Sequence, residues 1–148
     1  MKTLLLSLVI FLIVLSCADY TIMDDDFWTL NKEYSIESVK DIQRIKITHI
    51  TDPEYHGKLD LWQTPYETEN LGHGDCEDKA ILHLCIAYTY LNKKGKILLV
   101  DSSGDGIINH AMYRIDNIDY NKSILYNSYS VIEIIEFDDI PEYSRSRR

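Results

Sequence analysis

The sequence predicts an α+β fold in which N-terminal helices pack on an antiparallel β-sheet. Two observations predict it. Between positions 35 and 92, apolar residues recur at helical spacing. From position 96 onward, they form short runs separated by turn residues, as in consecutive β-strands. Helices followed by strands, without alternation, are typical of α+β domains.

The first predicted helix spans Ser35 to Thr51, with Ser35 as its N-cap. Its apolar residues share one helical face and are Ile36, Val39, Ile42, Ile45 and Ile50. Residues 52–74 are predicted to be mostly loop, because they contain two prolines and three glycines.

The second predicted helix spans Asp75 to Asn92, with Asp75 as N-cap and Gly95 just beyond its end. Its apolar face comprises Ala80, Ile81, Leu84, Tyr88 and Leu91. Residues 77–79 near its start are charged, and we expect them to face water.

Four strands are then predicted, with turn residues between them. They are Lys96 to Asp101, Asn109 to Asp116, Ser123 to Asn127 and Val131 to Phe137. Consecutive strands joined by short turns predict an antiparallel meander, which completes the α+β arrangement.

The N-terminus is predicted to be a signal peptide, residues 1–16. Its apolar run, Leu4 to Leu15, is about a dozen residues long, too short to span a bilayer of roughly 30 Å. The ending Val14-Leu15-Ser16-Cys17 resembles a bacterial lipoprotein signal, which implies a lipidated Cys17 and a membrane anchor. The alternative is an ordinary signal peptide and a periplasmic protein. A tether at 17–34 and one domain at 35–148 would follow.

The charge of the chain excludes one class of partner. With 24 acidic and 15 basic residues, the formal net charge is −9, which argues against nucleic-acid binding. The basic tail, residues 144–148, is predicted to be disordered. We expect a monomer that meets a membrane only through its lipid anchor.

Cys76 and Cys85 are predicted to be free thiols. Nine residues apart on one helix, they are separated by roughly 13 Å along its axis, while a disulfide needs Cα atoms within about 7 Å. Unpaired thiols are unusual in an exported protein. Cys85 fits a buried structural role, since Leu84 and Ile86 flank it.

Cys76 has the surroundings of a nucleophile. It lies in the first turn of a helix, where backbone N–H groups and the helix dipole lower a thiol pKa. Gly72 and Gly74 precede it and allow close approach of a substrate. Of five histidines, His110 is the best base, because it heads a strand after a turn.

Three motifs resemble those of the bacterial transglutaminase-like cysteine proteinases, over about half of the chain. They are Trp62–Glu67 (Trp-Gln-Thr-Pro-Tyr-Glu), Gly72–Ala80 (Gly-His-Gly-Asp-Cys-Glu-Asp-Lys-Ala) and Asn109–Ala111 (Asn-His-Ala). The resemblance implies a papain-like transglutaminase core and a cysteine peptidase or amidase. The reaction would pass through a thioester on Cys76, and the substrate would be a protein or peptide. Transfer to an amine is not excluded.

The resemblance also implies a third catalytic residue and a substrate contact. The family's acid on the strand after the histidine corresponds here to Asn127, which gives a Cys-His-Asn triad. An Asn can orient the imidazole of His110 but brings no negative charge. Asp116 and Asp119 are rivals in a predicted turn. Trp62 would line the substrate site.

No cofactor is required by this chemistry, but some relatives bind calcium through acids beside the cysteine. The matching residues are Asp75 and Glu77, with Asp78 as a further ligand. The alternative is that these acids cap the helix and complement its dipole. The segment 101–112 mimics an EF-hand loop, but Met112 stands where the last ligand Glu belongs, so a turn is predicted.

Two other functions stay open at this point. The first is a catalytically decayed binding module on the same fold, displayed as a surface lipoprotein. The second is a structural lipoprotein, which leaves the free thiol of Cys76 unexplained.

Overall fold

The computed structural model describes residues 26–52, 60–121 and 128–147. Several sequence predictions fall outside these ranges: the signal peptide, the lipidated Cys17, the predicted strand from Ser123 to Asn127, and the third catalytic residue Asn127. In the described part, the fold is α+β, as predicted. No helix in that part is long and apolar enough to cross a membrane.

Helices and two-residue strands alternate up to α3, and the longer strands after α3 form the main sheet. In order they are α1 (Val39–Gln43), β1 (Thr48–His49), α2 (Pro65–Leu71), β2 (His73–Gly74), α3 (Cys76–Leu91), β3 (Lys96–Asp101), β4 (His110–Ile115), β5 (Ile118–Tyr120), β6 (Ser130–Glu136), a 3-10 turn (Phe137–Asp139) and α4 (Ile140–Ser146).

The four-stranded sheet has the order β5-β4-β3-β6, and all its neighbours are antiparallel. The predicted meander is wrong for the last strand, because β6 pairs with β3 and not with β5. The physical reason is that β3 is the most apolar strand, buried from Ile97 to Asp101, and needs a partner on both edges. Val100 consequently lies between His110 of β4 and Val131 of β6.

Helix α3 is the centre of the hydrophobic core. Its residues 80–87 are all buried, so the helix is covered on every side and not on one face only. The sheet covers one side, mainly through β4, while α1 and α2 pack against others. Each fully buried Leu or Ile contributes roughly 1.5–3 kcal/mol to folding. Cys76 and Cys85 are both free thiols, as predicted.

One side chain of α3 is not where the sequence placed it. Asp78, expected to face water, is fully buried and accepts the backbone N–H groups of Gln63 (2.7 Å) and Asp75 (3.2 Å). His83 is buried too, with Nδ1 3.0 Å from the hydroxyl of Tyr113. Polar partners at Asp78 and at Nδ1 of His83 compensate for part of the loss of water.

The predicted long helix from Ser35 to Thr51 is wrong at both ends, and Ser35 is not its N-cap. The helix α1 has only five residues, capped by Ser38, and the chain then continues as β1. Strand β1 pairs in parallel with β2. The Ile-Lys-Ile-Thr sequence at 45–48 alternates apolar and polar residues and contains β-branched side chains, which favour an extended chain.

The sequence analysis missed α2 in a segment predicted to be loop. Its start carries a capping box, in which Thr64 accepts the N–H of Glu67 and Glu67 accepts the N–H of Thr64. Pro65 occupies the first helical position, and Gly72 ends the helix at φ 70°.

Both ends of the described chain pack onto the fold. Trp28, within the predicted tether, stacks on Phe137 with ring centroids 4.2 Å apart. The C-terminal tail, predicted to be disordered, belongs largely to α4: Ser144 is buried and its hydroxyl donates to the Trp62 carbonyl. Arg147 then forms an ion pair with Asp60 at 2.9 Å. These tertiary partners are what order the tail.

Candidate active site

A cleft of about 900 Å³ lies where the start of α3 meets the start of β4. Its walls include Cys76, His110 and Trp62, which the sequence predicted, and also Asn121, which it did not. The backbone N–H of Ala111 donates to Cys76 Sγ at 3.2 Å, so the helix and the strand touch at the sulfur.

The tight turn before α3 fixes the position of Cys76. Gly74 is needed there, since a Cβ atom at this position would lie 2.7 Å from the Asp78 side chain. Asp75 is the N-cap and forms a capping box with Asp78, which also binds the N–H of Gln63. Asp78 therefore joins the turn, the helix start and the segment that carries Trp62.

The thiol of Cys76 is not electrostatically activated in the way the sequence predicted. It is half-buried and donates to Glu77 Oε2 at 3.1 Å. Burial and the neighbouring Glu77 carboxyl raise the pKa of Cys76 above its usual range, whereas the Ala111 N–H acts in the opposite direction. Burial first, and then the acidic groups around the thiol, oppose the lowering of the pKa that the helix dipole was expected to cause.

His110 is held by one hydrogen bond. Its Nε2 lies 2.8 Å from the backbone carbonyl of Asn121. A carbonyl oxygen can only accept, so Nε2 carries a proton. In the neutral ring the other nitrogen, Nδ1, is then unprotonated and is the basic atom.

Asn121 connects the base to the nucleophile. Its side-chain amide donates to the carbonyls of Ala111 (3.0 Å) and Cys76 (3.4 Å). It lies just after β5, in the left-handed region at φ 64°, which Asn tolerates better than most residues. The sequence showed it only as a turn residue, and its role depends on contacts across the fold.

The two rivals for the third catalytic position are engaged elsewhere. Asp116 pairs with Lys93 at the surface, and Asp119 pairs with Arg114 and accepts from the Tyr129 hydroxyl.

Three carboxylates lie together beside the cysteine: Asp52, Asp75 and Glu77, with ligand atoms within 4.8 Å of one another. Asp52 is only 2% exposed, and Oδ1 of both Asp52 and Asp75 has no hydrogen-bond partner in the described parts of the chain. Burial, followed by the charge of Asp75, raises the pKa of Glu77 to about 9. Burial likewise raises the pKa of Asp75.

This donor set fits a hard divalent cation such as calcium. Buried carboxylate oxygens without partners are unfavourable, and a cation would compensate for them. The sequence predicted Asp75 and Glu77 as ligands. It did not predict Asp52, which lies in a segment predicted to be mostly loop. Asp78, the further ligand considered, is used instead by two backbone N–H groups.

Trp62 supports the wall of the cleft and offers little surface for contact with a substrate, because only 2% of the residue is exposed. Its indole N–H donates to Asp60 at 2.8 Å, and its ring packs against Tyr143 at 4.8 Å between centroids. Arg147, which binds Asp60, also lines the cleft. The C-terminal segment thus helps to form the site.

The arrangement combines a thiol, a basic imidazole nitrogen and backbone N–H groups at a helix start. Together these can support attack on a carbonyl carbon. No family model, curated protein or solved structure was found to match this chain.

Proposed function

We propose that this protein is a thiol hydrolase, a cysteine peptidase or amidase in which Cys76 is the nucleophile and His110 the base. The observation that carries the proposal is the meeting of α3 and β4, where the residue after His110 donates its N–H to Cys76 Sγ at 3.2 Å. The resemblance of the three sequence motifs to transglutaminase-like cysteine proteinases supports the same reaction.

The proposed reaction has two halves. Nδ1 of His110 takes the thiol proton as Cys76 Sγ bonds to the substrate carbonyl carbon, and N–H groups in the first turn of α3 stabilise the oxyanion. The amine then leaves with the proton from His110, which yields a thioester. Water attacks the thioester with His110 again as base, and the acid product leaves as the thiol is restored. An amine in place of water would make the reaction a transfer.

The third catalytic role is proposed to fall on an Asn without negative charge. In the described part of the chain, the group that meets His110 is the Asn121 carbonyl. Asn127, which the sequence motif indicates, remains a prediction. Either partner orients the imidazole without a carboxylate to stabilise its cationic form.

Alkylation by iodoacetamide followed by peptide mapping tests the proposal. Cys85, buried with its thiol donating to the Trp28 carbonyl, serves as an internal reference for unreactive thiols. We expect Cys76 to react, and His110→Ala to lower both its alkylation and the hydrolysis of casein, the latter by about 10²-fold or more. His49→Ala is the matched control, because His49 is exposed and lines the same cleft.

The proposed enzymatic activity would be refuted if Cys76 were labelled no faster than Cys85, or if His110→Ala left the labelling of Cys76 unchanged. Either result would favour the alternative, a decayed binding module on the same fold. One specific observation supports that alternative: burial and the Glu77 carboxyl favour the neutral thiol.

We also propose that Asp52, Asp75 and Glu77 hold a calcium ion. The unpartnered, buried oxygens of Asp52 and Asp75 support this, and water would supply the ligands that three carboxylates do not. Bound calcium would neutralise carboxylates that surround the thiol.

Calorimetric titration with calcium chloride tests this cation site. We expect Asp52→Asn to weaken binding by about tenfold, since it removes one charged ligand. Glu142→Gln, a change of the same kind at an exposed position on α4, should bind as the parent does. Equal affinities in the two variants would exclude Asp52 as a ligand.

Export and lipidation at Cys17 are proposed on the sequence alone. Cys17→Ser should shift the protein from the membrane fraction to the soluble fraction of cells. An unchanged distribution would favour an ordinary signal peptide.

A further inference from the structure

We propose that Asn121 is a positioning residue that fixes the tautomer and the place of His110 by means of its backbone carbonyl. The inference rests on the proposed function, in which His110 is the base. It starts from three contacts of this one residue: the carbonyl with His110 Nε2 at 2.8 Å, and the side-chain amide with the carbonyls of Ala111 and Cys76.

The carbonyl selects one tautomer of the imidazole. A neutral histidine in water carries its proton on either nitrogen, and only the form with the proton on Nε2 satisfies this acceptor. The half-buried position of His110 makes the selection stronger, because an unsatisfied carbonyl away from water is costly. Nδ1 is therefore kept ready to accept the thiol proton.

The side chain of Asn121 keeps that carbonyl in place. Its amide donates to Ala111, directly after His110 in β4, and to Cys76, at the start of α3. A single planar group thus ties the end of β5 to both elements that carry the reacting groups. Since the carbonyl belongs to the same residue, these two hydrogen bonds restrain the acceptor of His110.

The conformation of Asn121 makes a clean substitution available. At φ 64°, a Gly is tolerated at no steric cost, while an Ala would be strained. Asn121→Gly therefore removes both amide contacts and retains the left-handed backbone conformation at position 121. Asn117→Gly is the matched control: Asn117 also lies in the left-handed region, at φ 62°, in the exposed turn between β4 and β5.

Asn121→Asp is a second variant, of the same shape. Its carboxylate would face two carbonyl oxygens in place of an amide donor, so we expect it to displace the backbone at position 121 without changing side-chain volume. Far-UV circular dichroism and the unfolding midpoint show whether Asn121→Gly folds. If it does not fold, Asn121→Asp is used in its place.

Nitrogen-15 NMR of the whole chain labelled in histidine measures the tautomer directly, and His110→Gln assigns the signals. We expect His110 to be in the Nε2-protonated form in the parent and in Asn117→Gly. In Asn121→Gly and Asn121→Asp it should become a mixture of both tautomers. Alkylation of Cys76 at fixed pH should fall by about tenfold in the same two variants.

An unchanged tautomer in a folded Asn121 variant would overturn the positioning role, even if Cys76 proves to be a nucleophile. Failure of the proposed function has a different signature, since Cys76 would then be unreactive in the parent, whatever the tautomer of His110. A loss of reactivity in Asn117→Gly equal to that in Asn121→Gly would likewise overturn the role, because it would show a general effect of the turns.

Discussion

The buried imidazole of His83 should make the stability of this protein fall in mild acid. His83 is 1% exposed, and its Nδ1 lies 3.0 Å from the Tyr113 hydroxyl. Burial, with the charge of Lys79 next in size, lowers the pKa of His83 from 6.5 to about 3, and the Ile45 backbone only partly opposes this. The folded protein thus keeps the ring neutral.

The sign and the magnitude follow from proton linkage. Between pH 6.5 and about 3, the unfolded chain binds a proton at His83 that the folded chain does not, so acid favours unfolding. The stability that the neutral ring of His83 allows is fully present above pH 6.5 and is lost as the pH falls below that value. From pH 8 to pH 5, the loss amounts to about 2 kcal/mol of unfolding free energy.

Urea unfolding of the parent and of His83→Gln, at several pH values between 8 and 5, measures this effect. Gln does not titrate and can still meet the Tyr113 hydroxyl, so the variant should be less stable at pH 8 but lose less stability toward pH 5. Comparison between the two proteins removes the opposite contribution of Asp78, whose pKa burial raises to about 8. Thr48→Ala, an exposed change that alters no titratable group, should keep the slope of the parent. Parallel pH profiles for the parent and His83→Gln would refute the reasoning.

Two further predictions concern local packing. Thr64→Ala removes the cap that accepts the Glu67 N–H and should lower the free energy of unfolding, measured in urea, by about 1 kcal/mol. The control Thr48→Ala, in the exposed strand β1, should lower it by less. Equal losses in the two variants would argue against the capping box. Gly95→Ala would place a Cβ atom 2.5 Å from the Arg114 carbonyl and should cost about 1–3 kcal/mol. An unchanged urea midpoint for Gly95→Ala would show that β4 moves aside without cost.

The parts of the fold that local sequence determines were predicted well. Helix α3 was predicted to within one residue at each end, since a capping Asp and a following Gly mark its limits. Strands β3 and β4 were also found, from their apolar runs. The cap of α2 was equally visible in Thr64-Pro65-Tyr66-Glu67, but the surrounding glycines and prolines led to a loop prediction.

Features that depend on distant contacts were not predicted. Strand β6 could pair with the free edge of β5 or with that of β3, and the sequence of β6 does not specify which edge it covers. Asp52 meets Asp75 and Glu77 only when separate segments of the chain come together in the fold. The same holds for the contact of Asn121 with His110. The buried setting of Cys76 is of the same kind, because desolvation is a property of the folded state.

The position of β3 has a consequence for the order in which the protein assembles. Its pairing with β4 joins residues 10 to 18 positions apart, whereas its pairing with β6 joins residues 29 to 40 positions apart. The contacts that form the candidate site are at least as distant in sequence as most of the β3–β6 pairs, because Ala111 and Cys76 are 35 residues apart and Asn121 and Cys76 are 45 residues apart. We therefore expect β3 and β4 to pair first, and the reacting groups to come together only later, when α3 docks on that pair.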